Sequence, residues 1–137
     1  MSATGRFLVT LWVLAIGSQL GCAALLVGSG AIAGAGVVAY TKGELTTAED
    51  ADLDRVWAAA QGAMDDLDFV IQSRLITAGS AKLIARGAGS RRVTVVVDRR
   101  VGNFTEISVR VGYFGDEPLS RLILRKIRQR LALTASP

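Results

Sequence analysis

The feature that most constrains this chain is an unbroken uncharged stretch near its start. No acidic or basic residue lies between Arg6 and Lys42, so 35 consecutive residues, Phe7 to Thr41, carry no charge. An ordinary water-soluble domain has no use for such a run. As one helix, Phe7 to Ala39 would span 33 residues, or about 50 Å. A bilayer core of about 30 Å needs roughly 20 residues. The run is too long for one span and too short for two, and it reads as two pieces in series. Phe7 to Leu20 is bulky, with Phe7, Leu8, Val9, Leu11, Trp12, Val13, Leu14 and Ile16; Ala23 to Ala39 is mostly Ala and Gly.

The first piece, behind Arg6 and the amino terminus, has the length and pattern of a signal-peptide hydrophobic region. It ends in Gln19-Leu20-Gly21-Cys22, where small Gly21 precedes the only Cys of the chain. Those residues resemble the lipobox of bacterial lipoproteins, in which the Cys is lipidated and becomes the first residue after cleavage. Gln19 and Leu20 depart from the pattern, which prefers an aliphatic and a small residue there. The resemblance makes residues 1–21 a lipoprotein signal peptide and Cys22 the acyl acceptor. Buried acyl chains are worth about 0.8 kcal/mol per CH₂, and two or more chains hold a protein stably on a bilayer. Ala23 follows Cys22; the absence of Asp there leans, by analogy with Gram-negative lipoproteins, toward the outer membrane. The alternative is a buried, inert Cys22 within an uncleaved helix anchored in the inner membrane.

Residues 22–41 then form a membrane-proximal segment. Gly30 and Gly34 make a G-x-x-x-G among other small residues, and on a helix such a face lets a second helix approach closely. Self-association through Gly30 and Gly34 is one reading. The other is a spacer whose glycines fray any helix by about 1 kcal/mol each relative to Ala.

From Lys42 on, the charge content is that of a globular protein, and residues 42–137 are expected to fold as one periplasmic domain. Tyr40 to Thr47 reads as a short strand, with Tyr40 at the charge boundary where an aromatic suits a membrane interface. Leu53, Val56, Trp57, Ala60, Met64 and Leu67 make one stripe at helical period over about 51–67, with Asp50 or Asp52 available as N-cap. Trp57 belongs to that stripe and reads as core. Four strand-like runs follow, about 69–76, 81–86, 93–98 and 105–111. They are broken by Ala78-Gly79-Ser80, Gly87-Ala88-Gly89-Ser90 and Gly102-Asn103, which predicts an antiparallel meander. Leu119, Ile123, Ile127 and Leu131, widened by Leu124, predict a second helix over about 117–131. Its acids stand at its start and its bases near its end, the order the helix dipole favours. The expected fold class is α+β, a two-layer β-α-β-β-β-β-α domain with the meander sheet packed on two amphipathic helices.

The chain also resembles a known family on four pieces. They are Gly21-Cys22-Ala23-Ala24-Leu25-Leu26-Val27-Gly28, Lys42-Gly43-Glu44-Leu45, Leu53-Asp54-Arg55-Val56-Trp57-Ala58-Ala59 and Val109-Arg110-Val111-Gly112-Tyr113-Phe114-Gly115-Asp116. They are similar to an uncharacterised family of small bacterial lipoproteins carrying a domain of unknown function. The resemblance implies an envelope location and supplies no catalytic residue, cofactor or substrate.

Composition argues against catalysis. With no His and one Cys, neither Ser-His-Asp and Cys-His mechanisms nor Cys/His metal sites can be assembled. Asp50-Ala51-Asp52-Leu53-Asp54 opens like a calcium loop, but the sixth and twelfth places hold Arg55 and Gln61 where Gly and Glu are required. No Gly-Lys-Ser/Thr, S-x-x-K or G-x-S-x-G occurs. The expectation is no enzyme, no cofactor and no metal.

Charge is distributed unevenly. Residues 43–68 hold eight acids and one base; residues 69–137 hold thirteen bases and four acids. Arg121, Arg125 and Arg128 fall within a narrow wedge of the second helix, opposite its apolar stripe, and form the candidate surface for an anionic lipid or an acidic envelope protein. The plainer reading is two solvated halves that neutralise each other across the fold. Nucleic acid is not an expected partner, since no binding motif accompanies the basic pI. The leading functional expectation is a non-enzymatic, membrane-anchored envelope lipoprotein acting as a structural or interaction module. The alternative is a periplasmic domain binding a small ligand or lipid in a groove between sheet and helices, lined by positions such as Val95 and Val109.

Overall fold

The computed structural model describes residues 37–135. The signal peptide expected over residues 1–21, Cys22, and the Gly30 and Gly34 pair lie outside the described residues. Six strands and two helices follow one another: β1 Val38–Thr41, β2 Glu44–Asp50, α1 Leu53–Asp66, β3 Val70–Ile76, β4 Ser80–Arg86, β5 Arg92–Arg99, β6 Phe104–Val111 and α2 Glu117–Ala135. All six strands lie in one antiparallel sheet of order β1-β2-β6-β5-β4-β3. The α+β class and the β-α-β-β-β-β-α order hold, with the first strand drawn as a hairpin of two. The sheet takes in Val38–Thr41, four residues before the boundary drawn at Lys42. The strand expected from Tyr40 thus begins two residues earlier, at Val38.

The hairpin forms because Lys42 and Gly43 both sit at positive φ, +52° and +80°, as a two-residue type I′ turn requires. The meander from β3 to β6 follows from alternation. In β6 the inward residues Thr105, Ile107, Val109 and Val111 are all buried, and in β5 Val93, Val95 and Val97 are too. Directly opposed residues share a face, so these join Leu83, Ala81 and Ala85 of β4 and Leu45 of β2 under the helices. Outward positions such as Thr94, Val96, Glu106 and Ser108 form the open face of the sheet.

Both helices are capped by aspartate. Asp52 accepts from the Arg55 N–H at 2.9 Å, and Asp116 Oδ1 from the Leu119 N–H at 3.0 Å. Each satisfies a donor the helix leaves unpaired. At the end of α1 the Phe69 N–H bonds Met64 O and the Asp68 N–H bonds Asp65 O, with Asp68 at φ +55°. This is a Schellman motif with Asp in the left-handed position where Gly is usual. It turns Phe69 into the core, its ring packed against Gly87, where a Cβ would come within 1.9 Å of it.

α1 buries Leu53, Val56, Ala59, Ala60, Ala63 and Met64, and α2 buries Ser120, Ile123, Leu124, Ile127 and Leu131. Trp57, Leu67 and Leu119 pack against this core while partly exposed. The Thr105 hydroxyl, fully buried, donates to Ala51 O at 2.8 Å and ties the start of α1 to β6. Val95 and Val109 have no exposure and belong to this same core; a ligand reaching them would have to part the two layers. No helix among the described residues is long and apolar enough to cross a membrane.

Candidate functional site

The basic wedge of α2 is divided by its partners. Arg121 pairs with Glu117 one turn earlier, 2.7 Å away. Arg128 is drawn down onto β2, where its guanidinium meets Glu49 at 2.6 Å and the Thr47 hydroxyl at 3.1 Å. Arg125 alone of the three is exposed with no ion pair among the described residues. Next to them Arg130 forms a bidentate pair with Asp66, at 2.5 and 2.8 Å, joining the two helices. The Arg130 hydrogen bond, reinforced by its charge and that of Lys126, holds the Asp66 carboxyl below the usual carboxylate range. Its partner Arg130 is pushed up by the same bond, and Arg100 is pushed up by its bond to Glu106.

A second place was not singled out by residue type, and its geometry is more specific. The loop from Gly112 to Asp116, between β6 and α2, is fastened at three points. The Gly112 N–H bonds Arg92 O at 2.8 Å. Asp116 uses both oxygens, one capping α2 and the other meeting Arg91 at 2.7 Å. Between them Gly115, at φ +88°, packs on Gly43 of the β1–β2 turn. A Cβ on Gly115 would lie 2.3 Å from Gly43 Cα and 2.6 Å from the Tyr40 hydroxyl; one on Gly43 would lie 2.5 Å from Phe114 O. Arg110 of β6 completes the junction, reaching Glu44 at 3.4 Å and Lys42 O at 3.1 Å.

This junction holds two aromatic rings out of the fold. Tyr113 and Phe114 are 87% and 88% exposed and meet edge to face with centroids 5.0 Å apart. Beside them the cross-strand register sets Arg92 opposite Arg86, and Arg86 opposite Val70. Arg86 bonds Gln72; neither arginine has an ion pair among the described residues. Lys42 stands exposed on the adjoining turn. The acids Glu44, Asp116 and Glu117 at this end are each ion-paired; Asp65 and Asp68, at the end of α1 and on its connection to Val70, stand at the same end of the sheet with no ion pair among the described residues.

Two of the sequence pieces that carry the family resemblance, Lys42–Leu45 and Val109–Asp116, thus meet in space. Nothing in either piece signals their contact, which rests on two glycines far apart in the sequence. Among the described residues no group of three or more His, Cys, Asp or Glu side chains is placed to hold a metal ion. No curated protein matches the sequence. One family model does, described as a protein of unknown function (DUF3568) and matching residues 5–130. Nearly the whole chain is covered by that match, and the protein is a member of the DUF3568 family.

Proposed function

We infer that the protein is a non-enzymatic envelope lipoprotein, tethered through an acylated Cys22 and acting as a structural or interaction module. The observation that carries this reading is the succession Arg6, apolar Phe7 to Leu20, then Gly21-Cys22. A secretion signal ending on an acyl-acceptor thiol accounts for both the length and the internal change of the uncharged stretch. The 116 residues from Cys22 on would remain on the membrane, at the outer membrane and facing the periplasm, with the α+β domain as the part that meets partners. What supports an interaction role is the fastened loop, which spends two sterically obligatory glycines on presenting two exposed rings.

Metabolic labelling with palmitate in a bacterial host tests the reading. A labelled band that disappears in Cys22→Ser, together with loss of processing before residue 22, is expected. An unlabelled native chain, processed identically in the variant, would remove the lipoprotein reading.

A further inference from the structure

We propose that the end of the sheet formed by Lys42, Arg86, Arg92, Tyr113 and Phe114 docks on an anionic lipid bilayer. The proposal goes beyond the lipoprotein reading and does not require Cys22 to be acylated. It also moves the anionic contact away from the helix arginines, two of which are already occupied by carboxylates.

Three observations carry it. The first is the form of the apolar contribution. Tyr113 and Phe114 project from the fold instead of lining a hollow, and the Gly43–Gly115 contact fixes the backbone beneath them. Projecting aromatic side chains suit the headgroup region of a bilayer, where a ring is partly buried and a phenol stays hydrated. Because the loop is already fastened, little of its backbone freedom remains to be lost on insertion.

The second is the charge beside the rings. Arg86 and Arg92 are directly opposed on the open face, and like charges in that relation oppose each other. The fold supplies no carboxylate between them, whereas it pairs Arg91, Arg110 and Arg121 nearby. An anionic surface placed over Arg86, Arg92 and Lys42 relieves that repulsion, and it attracts basic groups close to it. The third is continuity: Val70, 70% exposed, stands opposite Arg86 and extends the apolar contribution to the edge strand. A fluid sheet of anionic headgroups over hydrocarbon matches separated cations and projecting rings together. A protein partner would need its own pocket for each ring.

The test uses the full chain carrying Cys22→Ser, so that one introduced cysteine is the sole labelling site. Ala88→Cys lies in the exposed loop beside Arg91 and Arg92, and Val101→Cys in the exposed turn at the other end of β5. Each is labelled with a fluorophore and mixed with vesicles containing a spin-labelled quencher lipid, either phosphatidylcholine alone or phosphatidylcholine with phosphatidylglycerol. Docking predicts quenching at position 88 several-fold greater than at 101 on the anionic vesicles, and no such difference on the neutral ones, where the apolar stretch before Lys42 alone holds the chain. Tyr113→Ser with Phe114→Ser, or Arg86→Gln with Arg92→Gln, should remove most of that difference. Equal quenching at both positions, equal quenching on neutral and anionic vesicles, or no response to either double substitution overturns the proposal. So does quenching at 88 that requires an added envelope extract, which would assign the surface to a protein. Because Cys22 is absent throughout, failure here leaves the palmitate result standing, and the reverse also holds.

Discussion

The Gly43–Gly115 contact makes a graded prediction about three single substitutions. At Gly115 an added Cβ meets two penalties. The residue sits at φ +88°, where an L side chain costs about 1–2 kcal/mol. The Cβ would also fall 2.3 Å from Gly43 Cα and 2.5 Å from Gly43 O, backbone atoms that cannot swing aside, and forced overpacking costs about 1–3 kcal/mol more. Gly115→Ala should therefore lose about 2–5 kcal/mol. At Gly112, φ is +69° but nothing lies within 4 Å of the added carbon, so Gly112→Ala should lose only the conformational part, about 1–2 kcal/mol. Gly79→Ala meets nothing within 4 Å and has no positive φ, so it should be neutral or gain up to about 1 kcal/mol through the unfolded chain. Gly43→Ala should resemble Gly115→Ala, and the double variant should lose less than the two together, because one contact can be broken only once. Equilibrium urea denaturation followed by circular dichroism measures the series. If Gly115→Ala cost no more than Gly112→Ala, or Gly43→Ala and Gly115→Ala were additive, the loop would not be fastened where its geometry fastens it.

Four further outcomes are expected. Thr105→Val should cost about 1–3 kcal/mol by orphaning the buried Ala51 carbonyl, with Thr105→Ser recovering part of it in the same urea assay. Asp68→Gly should stabilise the chain by about 1 kcal/mol, since it relieves the left-handed position of the Schellman motif; an unchanged or lower midpoint counts against that motif. A double-mutant cycle of Glu49→Gln with Arg128→Gln should return a coupling of about 0.5–1 kcal/mol, where zero would mean the pair is ornamental. The lowered Asp66 carboxyl contributes stability that is present above the ordinary value of 3.8. That contribution is lost as pH falls through the lower folded value, so Asp66→Asn should flatten the decline of the urea midpoint below about pH 4, and an unaltered decline would refute the assignment.

The elements legible in the sequence were those with a clean period. The alternation of Thr105, Ile107, Val109 and Val111 survives as a fully buried row, and the helix stripes lie where a period of about 3.6 residues places them. The blurred elements have physical causes. The imperfect alternation of β3 comes from a register shift between Ile71 and Ser73, since an extra residue reverses which face each later side chain takes. β1 was hard to separate from the apolar segment because Val38, Ala39, Tyr40 and Thr41 are uncharged and the turn after them is Lys-Gly, a less familiar type I′ pair than Asn-Gly. The partner of Arg128 was not legible because a helical wheel knows nothing of β2, whose Glu49 lies within reach of a long guanidinium side chain.

The uneven charge along the chain takes on a different meaning once folded. Arg110–Glu44, Arg128–Glu49 and Arg130–Asp66 each join the acidic residues 43–68 to the basic residues after them, as mutual neutralisation of the two halves requires. Pairs this exposed contribute little stability individually, so their main effect lies in which cations they remove from circulation. They occupy the α2 surface and the β6 side of the hairpin and leave Lys42, Arg86 and Arg92 without a carboxylate beside the two projecting rings. The surplus of positive charge is therefore not spread evenly over the domain. Part of it collects beside the loop that the Gly43–Gly115 contact fastens and the two rings that loop presents, a combination that neither the net charge nor the helix arginines alone would have located.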